Sequence, residues 1–250
     1  MPDLKPFLAG TGQIDHDRLL LPGAARDCYS DAQLDDYAPR SGVTRRSFPH
    51  RPPFRVSLQA RFSSSAIIGT AGFGLWNHPF APGGGLPALP RALWFFYASP
   101  PSDMQLALDV PGYGWKAAAI DATRPSALAL IPFAPLVLLL NRSRRFYRRV
   151  WPIVQRGLRI AEKSLPFDLM TDWHTYSIEW RIDRAMLSVD GRIVLETDRP
   201  SRGRMGFVAW IDNQYAIVTP TGRLGFGLLD LPAPQWLEIK TSEVELTSEV

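Results

Sequence analysis

The chain has 250 residues, of which 46% are hydrophobic and 11% aromatic, with one cysteine and a formal net charge of +4. The apolar content excludes a largely disordered chain, and the lone Cys28 excludes a disulfide scaffold or a multi-cysteine zinc site. The first residues lack the basic and apolar regions of a secretory signal, so we expect a cytoplasmic protein. A single domain over residues 1–250 is expected, because β-sandwiches often fill that length.

Short strands separated by glycine and proline clusters are predicted along most of the chain. Residues 56–62 and 175–182 alternate apolar and polar side chains, the period-2 pattern of half-buried strands. Further strands are predicted over residues 72–77, 92–98, 104–108, 206–211 and 236–241. The pair Asp190-Gly191 predicts a hairpin turn. Together these elements predict an all-β fold, an antiparallel two-sheet sandwich of the jelly-roll type.

Residues 125–166 interrupt the strand pattern and are predicted to form one helical insertion. The insertion opens with an uncharged run over residues 127–140, which is too short and too rich in proline to span a bilayer as a helix. A basic amphipathic segment follows, and we expect Pro152 to divide its helix in two.

The positive charge is concentrated in this insertion. Between Asn141 and Leu165, eight basic residues and one acid, Glu162, give a net charge of +7, so the remainder of the chain carries −3. A nucleic-acid partner is not expected, because such binders spread basic residues over a face and place aromatics among them. Two interpretations stay open: the insertion packs its apolar stripe on the sandwich, or residues 127–165 form a lid or a contact with an anionic membrane surface.

Two neighbouring segments match the pattern of a known protein family. They are Trp-His-Thr-Tyr-Ser-Ile-Glu-Trp at 173–180 and Leu-Ser-Val-Asp-Gly at 187–191. They resemble the aromatic-His-x-Tyr-x-x-x-Trp strand and the Val-Asp-Gly hairpin of family-16 glycoside hydrolases, the concanavalin A-like jelly rolls of laminarinases and lichenases. Ala-Gly-Phe-Gly-Leu-Trp at 71–76 is similar to that family's strand ending in a cleft tryptophan, and Leu-Glu-Ile-Lys at 237–240 is similar to its closing strand.

The resemblance implies a concanavalin A-like jelly roll and catalysis by a Glu-x-Asp-x-Glu strand. The corresponding strand here is Ala-Leu-Trp-Phe-Phe-Tyr-Ala at 92–98, which has no carboxylate, and the first glutamate of the chain is Glu162. The resemblance therefore supports the architecture and argues against the usual glycosidase mechanism.

Aromatic residues replace the carboxylates of the family. Period 2 places Trp94 and Phe96 on one face of their strand and Leu93, Phe95 and Tyr97 on the other. By the resemblance Trp76 joins the same cleft, and Tyr113, Trp115 and Lys116 are expected at its rim. The expected substrate-binding residues are Trp76, Asn77, His78, Trp94, Phe96, Trp115, Lys116, Trp210, Asn213 and Gln214.

Asp212 is the candidate catalytic residue. It shares a strand face with Trp210, and a carboxylate buried in an apolar strand has a raised pKa, as a general acid requires. The alternative is that Asp212 and Asn213 simply begin a turn. The four histidines lack ligand spacing and no nucleotide-binding loop is present, so neither a metal nor a cofactor is expected.

Three functions remain open on the sequence. In the first, the aromatic cleft binds or transforms an apolar or amphipathic small molecule, such as a terpenoid, lipid or polyketide, by acid/base catalysis from Asp212. In the second, the protein binds carbohydrate or is a non-standard glycoside hydrolase that uses carboxylates such as Asp103, Asp212 and Glu179. In the third, it is a peripheral membrane scaffold. The sequence predicts no oligomeric state.

Overall fold

Two antiparallel sheets with a shared core form the body of the protein in the computed structural model, which describes residues 4–37, 48–78, 89–198, 200–240 and 244–248. The strands of the first sheet are β1 Lys5–Ala9, β4 Asp31–Asp35, β6 Thr70–Trp76, β7 Arg91–Ala98, β8 Gly114–Asp121, β9 Ala161–Ser164 and β13 Gly206–Asp212. Their order across this seven-stranded sheet is β1-β4-β13-β6-β7-β8-β9.

The second sheet packs against the first through the core. Its strands are β2 Gln13–Asp15, β3 Arg18–Leu21, β5 Phe54–Phe62, β10 His174–Trp180, β11 Arg184–Val189, β12 Arg192–Asp198, β16 Gln235–Ile239 and β17 Glu245–Thr247. They run in the order β12-β11-β10-β5-β16-β3-β2, with β17 paired to β5. A separate hairpin joins β14 Gln214–Val218 to β15 Leu224–Leu228. The predicted antiparallel jelly roll is confirmed.

Aromatic rings from both sheets fill the space between them. Tyr176 of the second sheet lies 4.9 Å from the rings of Phe73 and Phe95 of the first, edge to face. Trp115 joins this core with 1% of its surface exposed. The expectation that Trp115 lines the rim of a cleft is therefore wrong. Alternation along β8 turns Trp115 inward and its neighbour Lys116 to the opposite face.

The Asp-Gly turn forms as predicted. Asp190 and Gly191 have φ angles of 50° and 75°, and they join β11 to β12. Two successive positive φ angles characterise the type I′ turn, whose twist matches that of the strands it connects. The predicted strand at 236–241 forms over Gln235–Ile239, and residue 241 lies outside the described residues.

The strand predicted over residues 104–108 does not form. Its first amides bond within the loop, Met104 to the carbonyl of Gly112 and Leu106 to that of Met104, and the next two bond to side chains of the insertion. The amide of Ala107 donates to Glu162 at 2.9 Å and the amide of Leu108 donates to Gln155 at 3.0 Å. Apolar alternation alone could not distinguish this loop from a strand, because its partners come from a distant segment.

The insertion contains α1 Pro125–Leu128, a 3₁₀ turn Ile131–Phe133, α2 Ala134–Leu140 and α3 Arg144–Leu158, and another 3₁₀ turn, Phe167–Met170, follows β9. The expected division of the basic helix at Pro152 is wrong, since α3 continues through it. Proline removes one backbone hydrogen bond, but Trp151 and Val154 on either side of it are buried and anchor the helix. Among the described helices, none has the length and apolarity needed to cross a bilayer.

We expect Trp151→Phe to lower the free energy of unfolding by about 1 to 3 kcal/mol, because the Trp151 indole donates a 2.6 Å hydrogen bond to the carbonyl of Leu106 and is itself buried. Urea denaturation measures the change. The control Ile153→Ala alters an exposed residue of the same helix and should shift stability by less than about 0.5 kcal/mol. Equal losses in both variants would show that Trp151 does not anchor α3.

Candidate functional site

An aromatic cluster covers the outer face of the seven-stranded sheet, the face turned away from the second sheet. Trp76 of β6, Trp94 and Phe96 of β7 and Trp210 of β13 lie there with neighbouring ring centroids 5.3 to 6.0 Å apart. Trp210 and Phe96 are buried, while Trp76 and Trp94 are partly exposed. The rings pack on one another, so the surface available to a ligand is the exposed part of Trp76 and Trp94.

Two glycines let these rings lie flat on the sheet. Gly72 stands directly between Trp210 and Phe96 in the ladder, and Gly74 stands beside Trp94. A Cβ on Gly72 would lie 2.3 Å from the carbonyl oxygen of Phe95 and 3.1 Å from the Trp210 ring. The alternate glycines of Ala-Gly-Phe-Gly therefore leave the space that the indoles occupy.

A row of polar side chains on β4 borders the aromatic cluster, and sequence reasoning missed it. Asp31, Gln33 and Asp35 share the outer face, while Ala32 and Leu34 enter the core. The Gln33 amide donates to Asp35 at 2.7 Å. The alternation of polar and apolar residues over 31–35 was the signal that could have revealed this strand.

Asp212 lies opposite Asp31 in the register of β13 and β4, which makes the two buried carboxyls neighbours. Oδ1 of Asp212 accepts bonds from the Thr70 hydroxyl at 2.9 Å and the Gln214 amide at 3.0 Å. The Trp210 indole donates to the same Thr70 hydroxyl at 3.0 Å. Trp210 and Asp212, which the sequence placed on one face, are thus joined through Thr70.

Burial makes this carboxyl pair retain a proton. It raises the pKa of Asp212 to about 7. Burial, and then the neighbouring Asp212, raises the pKa of Asp31 well above its usual range. Tyr29 donates to one oxygen of Asp31 at 2.9 Å, and within the described residues its other oxygen has no hydrogen-bond partner. A protonated carboxyl beside an unpaired acceptor is able to give or take a proton.

Lys116 lies on the outer face but not at a rim, which corrects the expectation from sequence. It is fully buried, and its ammonium donates to the carbonyl of Pro111 at 2.9 Å and to Glu162 at 3.4 Å. Burial lowers its pKa, while Glu162 acts in the opposite direction. Lys116 thus fastens the 104–111 loop over β8, and its charge is compensated inside the protein.

The remaining predicted residues fall into two groups. Asn77 and Asn213 are buried and bond to backbone: Asn77 joins Leu89 to Arg91, and the Asn213 amide reaches Ser30, Cys28 and Leu229. His78 and Gln214 remain accessible, and the His78 ring lies 4.6 Å from that of Trp76. His78 is therefore placed beside the aromatic cluster, while both asparagines fix strand ends.

The other carboxylates considered for hydrolysis do not join Asp212. Glu179 lies on the second sheet, paired with Arg181, and Asp103 pairs with Arg223 at 3.5 Å. Tyr113, the residue just before β8, is half exposed. A cavity of about 680 Å³ lies where β7 begins and β8 ends, lined by Arg91, Asp121, Arg124 and Arg202 among others, and no ring of the aromatic cluster lines it. In the described ranges, no group of three or more His, Cys, Asp or Glu residues is placed to hold a metal ion.

The fold is that of a concanavalin A-like jelly roll with a helical insertion. Residues 155–215, about a quarter of the chain, match the family model of "Glycosyl hydrolases family 16". This stretch contains the 173–180 strand and the 187–191 hairpin, and it ends just beyond Asp212. The resemblance to family 16 is confirmed over that segment. No match to the curated proteins is found.

Several solved structures share the general shape. An endo-acting O-glycanase of the human gut microbiota aligns with 95% of this chain and 82% of its own, at 11% identity and a TM-score of 0.48. The Crh5 transglycosylase in complex with NAG aligns with 99% and 79%, at 10% identity and 0.48. The laminarinase from Flavobacterium sp. UMI-01 aligns with 95% and 90%, at 8% identity and 0.45. Likeness at this level carries no argument about function.

We expect the carboxyl pair to make stability depend on pH in a definite direction. Asp212 has a pKa of about 7 in the folded protein against 3.8 as a free side chain. The stabilisation that the raised pKa of Asp212 gives the folded state is complete below about pH 4. It is lost as the pH rises through 7, and the free energy of unfolding falls by about 1 kcal/mol for each pH unit. Asp212→Asn keeps the acceptor for Thr70 and removes this loss, so its stability relative to the wild type should rise between pH 5 and pH 8 in urea titrations.

Asp183→Asn, an exposed change, is the control and should leave the pH dependence as it is in the wild type. Parallel curves for the wild type and Asp212→Asn across this range would contradict the raised pKa of Asp212.

Proposed function

We propose that the protein binds a carbohydrate on the outer face of the seven-stranded sheet. The carrying observation is that the indoles of Trp76 and Trp94 are partly exposed on this face, with ring centroids 5.9 Å apart, next to the accessible ring of His78. Flat aromatic faces accept the C–H side of a sugar ring, and the ring nitrogens of an accessible histidine bond its hydroxyls. The match of residues 155–215 to family 16 supports the same class of ligand.

The packing of the aromatic cluster favours a sugar over an enclosed apolar molecule. Trp210 and Phe96 are already covered by neighbouring rings, including Tyr37 and Phe48. A terpenoid or lipid would require a dry cavity between the rings, whereas a sugar stacks on the outside of one indole.

In this proposal the Asp31–Asp212 pair, which lies beside Thr70 at the other end of β6 from Trp76, supplies the acid/base chemistry of a reaction on a polysaccharide that extends along the strands. The family's carboxylate strand corresponds to β7, which carries Trp94 and Phe96 in its place. The carboxyls on this face come instead from β4 and β13, and they hold a proton near neutral pH. A general acid with a pKa near the working pH is an effective proton donor.

We expect Trp94→Ala to weaken carbohydrate binding by at least about tenfold, because it removes a stacking surface. Soluble glucans, xylans and galactans form the panel, and isothermal titration measures the affinity for whichever of them binds. Trp173→Ala is the matched control, since Trp173 is also partly exposed but lies under Arg61 beside the second sheet. If the wild type bound none of the polysaccharides, or if both variants lost affinity equally, the outer face would not be the binding site.

We expect Asp212→Asn to reduce the release of reducing ends from the bound polysaccharide by about a hundredfold or more, the usual effect of losing a general acid or base. Binding should persist, because the carboxamide oxygen of the substituted side chain still accepts the Thr70 bond. Asp109→Asn, an exposed change, serves as the control. Unchanged turnover in Asp212→Asn would remove this residue from the mechanism and leave a binding protein.

A further inference from the structure

The first half of the insertion exposes an unusual amount of apolar surface. Every residue from 128 to 140 is uncharged, and all of them are exposed or partly exposed. The large side chains are prominent, with exposed fractions of 47% for Leu128, 56% for Ile131, 58% for Phe133, 55% for Leu136 and 60% for Leu139. Monomeric soluble proteins rarely leave so continuous an apolar patch in water unless it contacts a partner or a membrane.

The β14–β15 hairpin extends this patch. Its connecting turn lies against α2, where the Asn141 amide donates to the carbonyl of Pro220 at 2.8 Å and a Cβ on Gly222 would lie 3.5 Å from the side chain of Leu138. Beyond that turn, Leu224 and Phe226 are 79% and 89% exposed. We name residues 128–140 together with Leu224 and Phe226 the apolar platform.

Positive charge flanks the platform on one side. Exposed arginines occupy the linker after α2 and the first turns of α3: Arg142, Arg144, Arg145, Arg148 and Arg149. The sequence has no acidic residue between Asp121 and Glu162, and the Glu162 carboxylate is turned inward onto Lys116. Arg148 pairs with Asp109 at 3.4 Å, and the other four arginines keep the flank strongly positive.

We propose that the apolar platform docks on the surface of an anionic lipid bilayer, with its leucines and phenylalanines in the interface and the flanking arginines on lipid phosphates. This is the arrangement of a monotopic amphipathic contact. The charge selects lipid over a second copy of the chain, because two such platforms would bring their arginines together. The proposal does not depend on the carbohydrate proposal, since the two surfaces share no residue.

Anchoring of the insertion supports a fixed platform rather than a loose segment. Ser126 bonds to the carbonyl of Gly157 at 2.8 Å, and Trp151 and Val154 hold α3 on the body. The residues of the insertion that face the body of the protein are thus already packed against it. The exposed leucines belong to the opposite side, so docking needs no rearrangement of the helices.

Vesicle sedimentation of the full chain tests the proposal, with vesicles of phosphatidylcholine alone and of phosphatidylcholine mixed with phosphatidylglycerol. We expect partitioning to be stronger on the anionic vesicles and to weaken as salt is raised. Phe133→Ser combined with Leu139→Ser should weaken binding to both vesicles by at least about tenfold. Replacing Arg144, Arg145 and Arg149 by Gln should lower binding to anionic vesicles by about a hundredfold and leave the neutral ones little changed.

Matched controls lie on the second sheet. Ile193→Ser removes an apolar side chain that is 56% exposed, and Arg192→Gln removes an exposed charge. Neither should alter sedimentation, and thermal melts establish that every variant folds. Absence of wild-type binding to anionic vesicles would overturn the proposal, as would an equal loss in the controls. It would also be overturned if the wild type formed an oligomer that does not bind vesicles and that the platform substitutions convert to monomer.

Discussion

Burial of the central strands of the seven-stranded sheet on both faces is the constraint on which the rest of the structure depends. Every residue of β4 and β13 is buried, although only alternate residues face the second sheet. The outer face therefore needs its own cover, which the aromatic cluster provides beside β13 and the 104–111 loop provides over Lys116. A sheet covered on one side only would leave β4 and β13 half exposed.

Polar groups on a covered face must find partners within the protein, and their pairing shapes the site. Lys116 is compensated by Glu162, which also holds the amide of Ala107. Asp212 is bonded by Thr70 and Gln214, yet one oxygen of Asp31 has no hydrogen-bond partner among the residues that the structure describes. Two adjacent buried carboxyls repel each other when both are charged, so burial favours a proton on one of them, and the same burial that builds the sheet prepares an acid.

The insertion divides its residues between structure and surface. Trp151, Gln155 and Glu162 bond to the loop that covers Lys116, and this accounts for the inward side of the insertion. The outward side carries leucine, phenylalanine and arginine with no acid among them. The Asp31–Asp212 pair lies on the sheet, and the excess positive charge lies on the insertion. The sheet and the insertion therefore differ in their chemistry.

The sequence by itself determined many of the strands, among them β5, β6, β7, β10 and β13, together with the Asp-Gly hairpin and the place of the insertion, because period-2 alternation and turn chemistry are local properties. It also placed Trp94 and Phe96 on one face. Tertiary structure alone decided that Trp115 fills the core, that α3 runs through Pro152, and that residues 104–108 form a loop. It also brought Asp31 opposite Asp212, since β4 and β13 are far apart in the chain and no local pattern fixes which strands become neighbours.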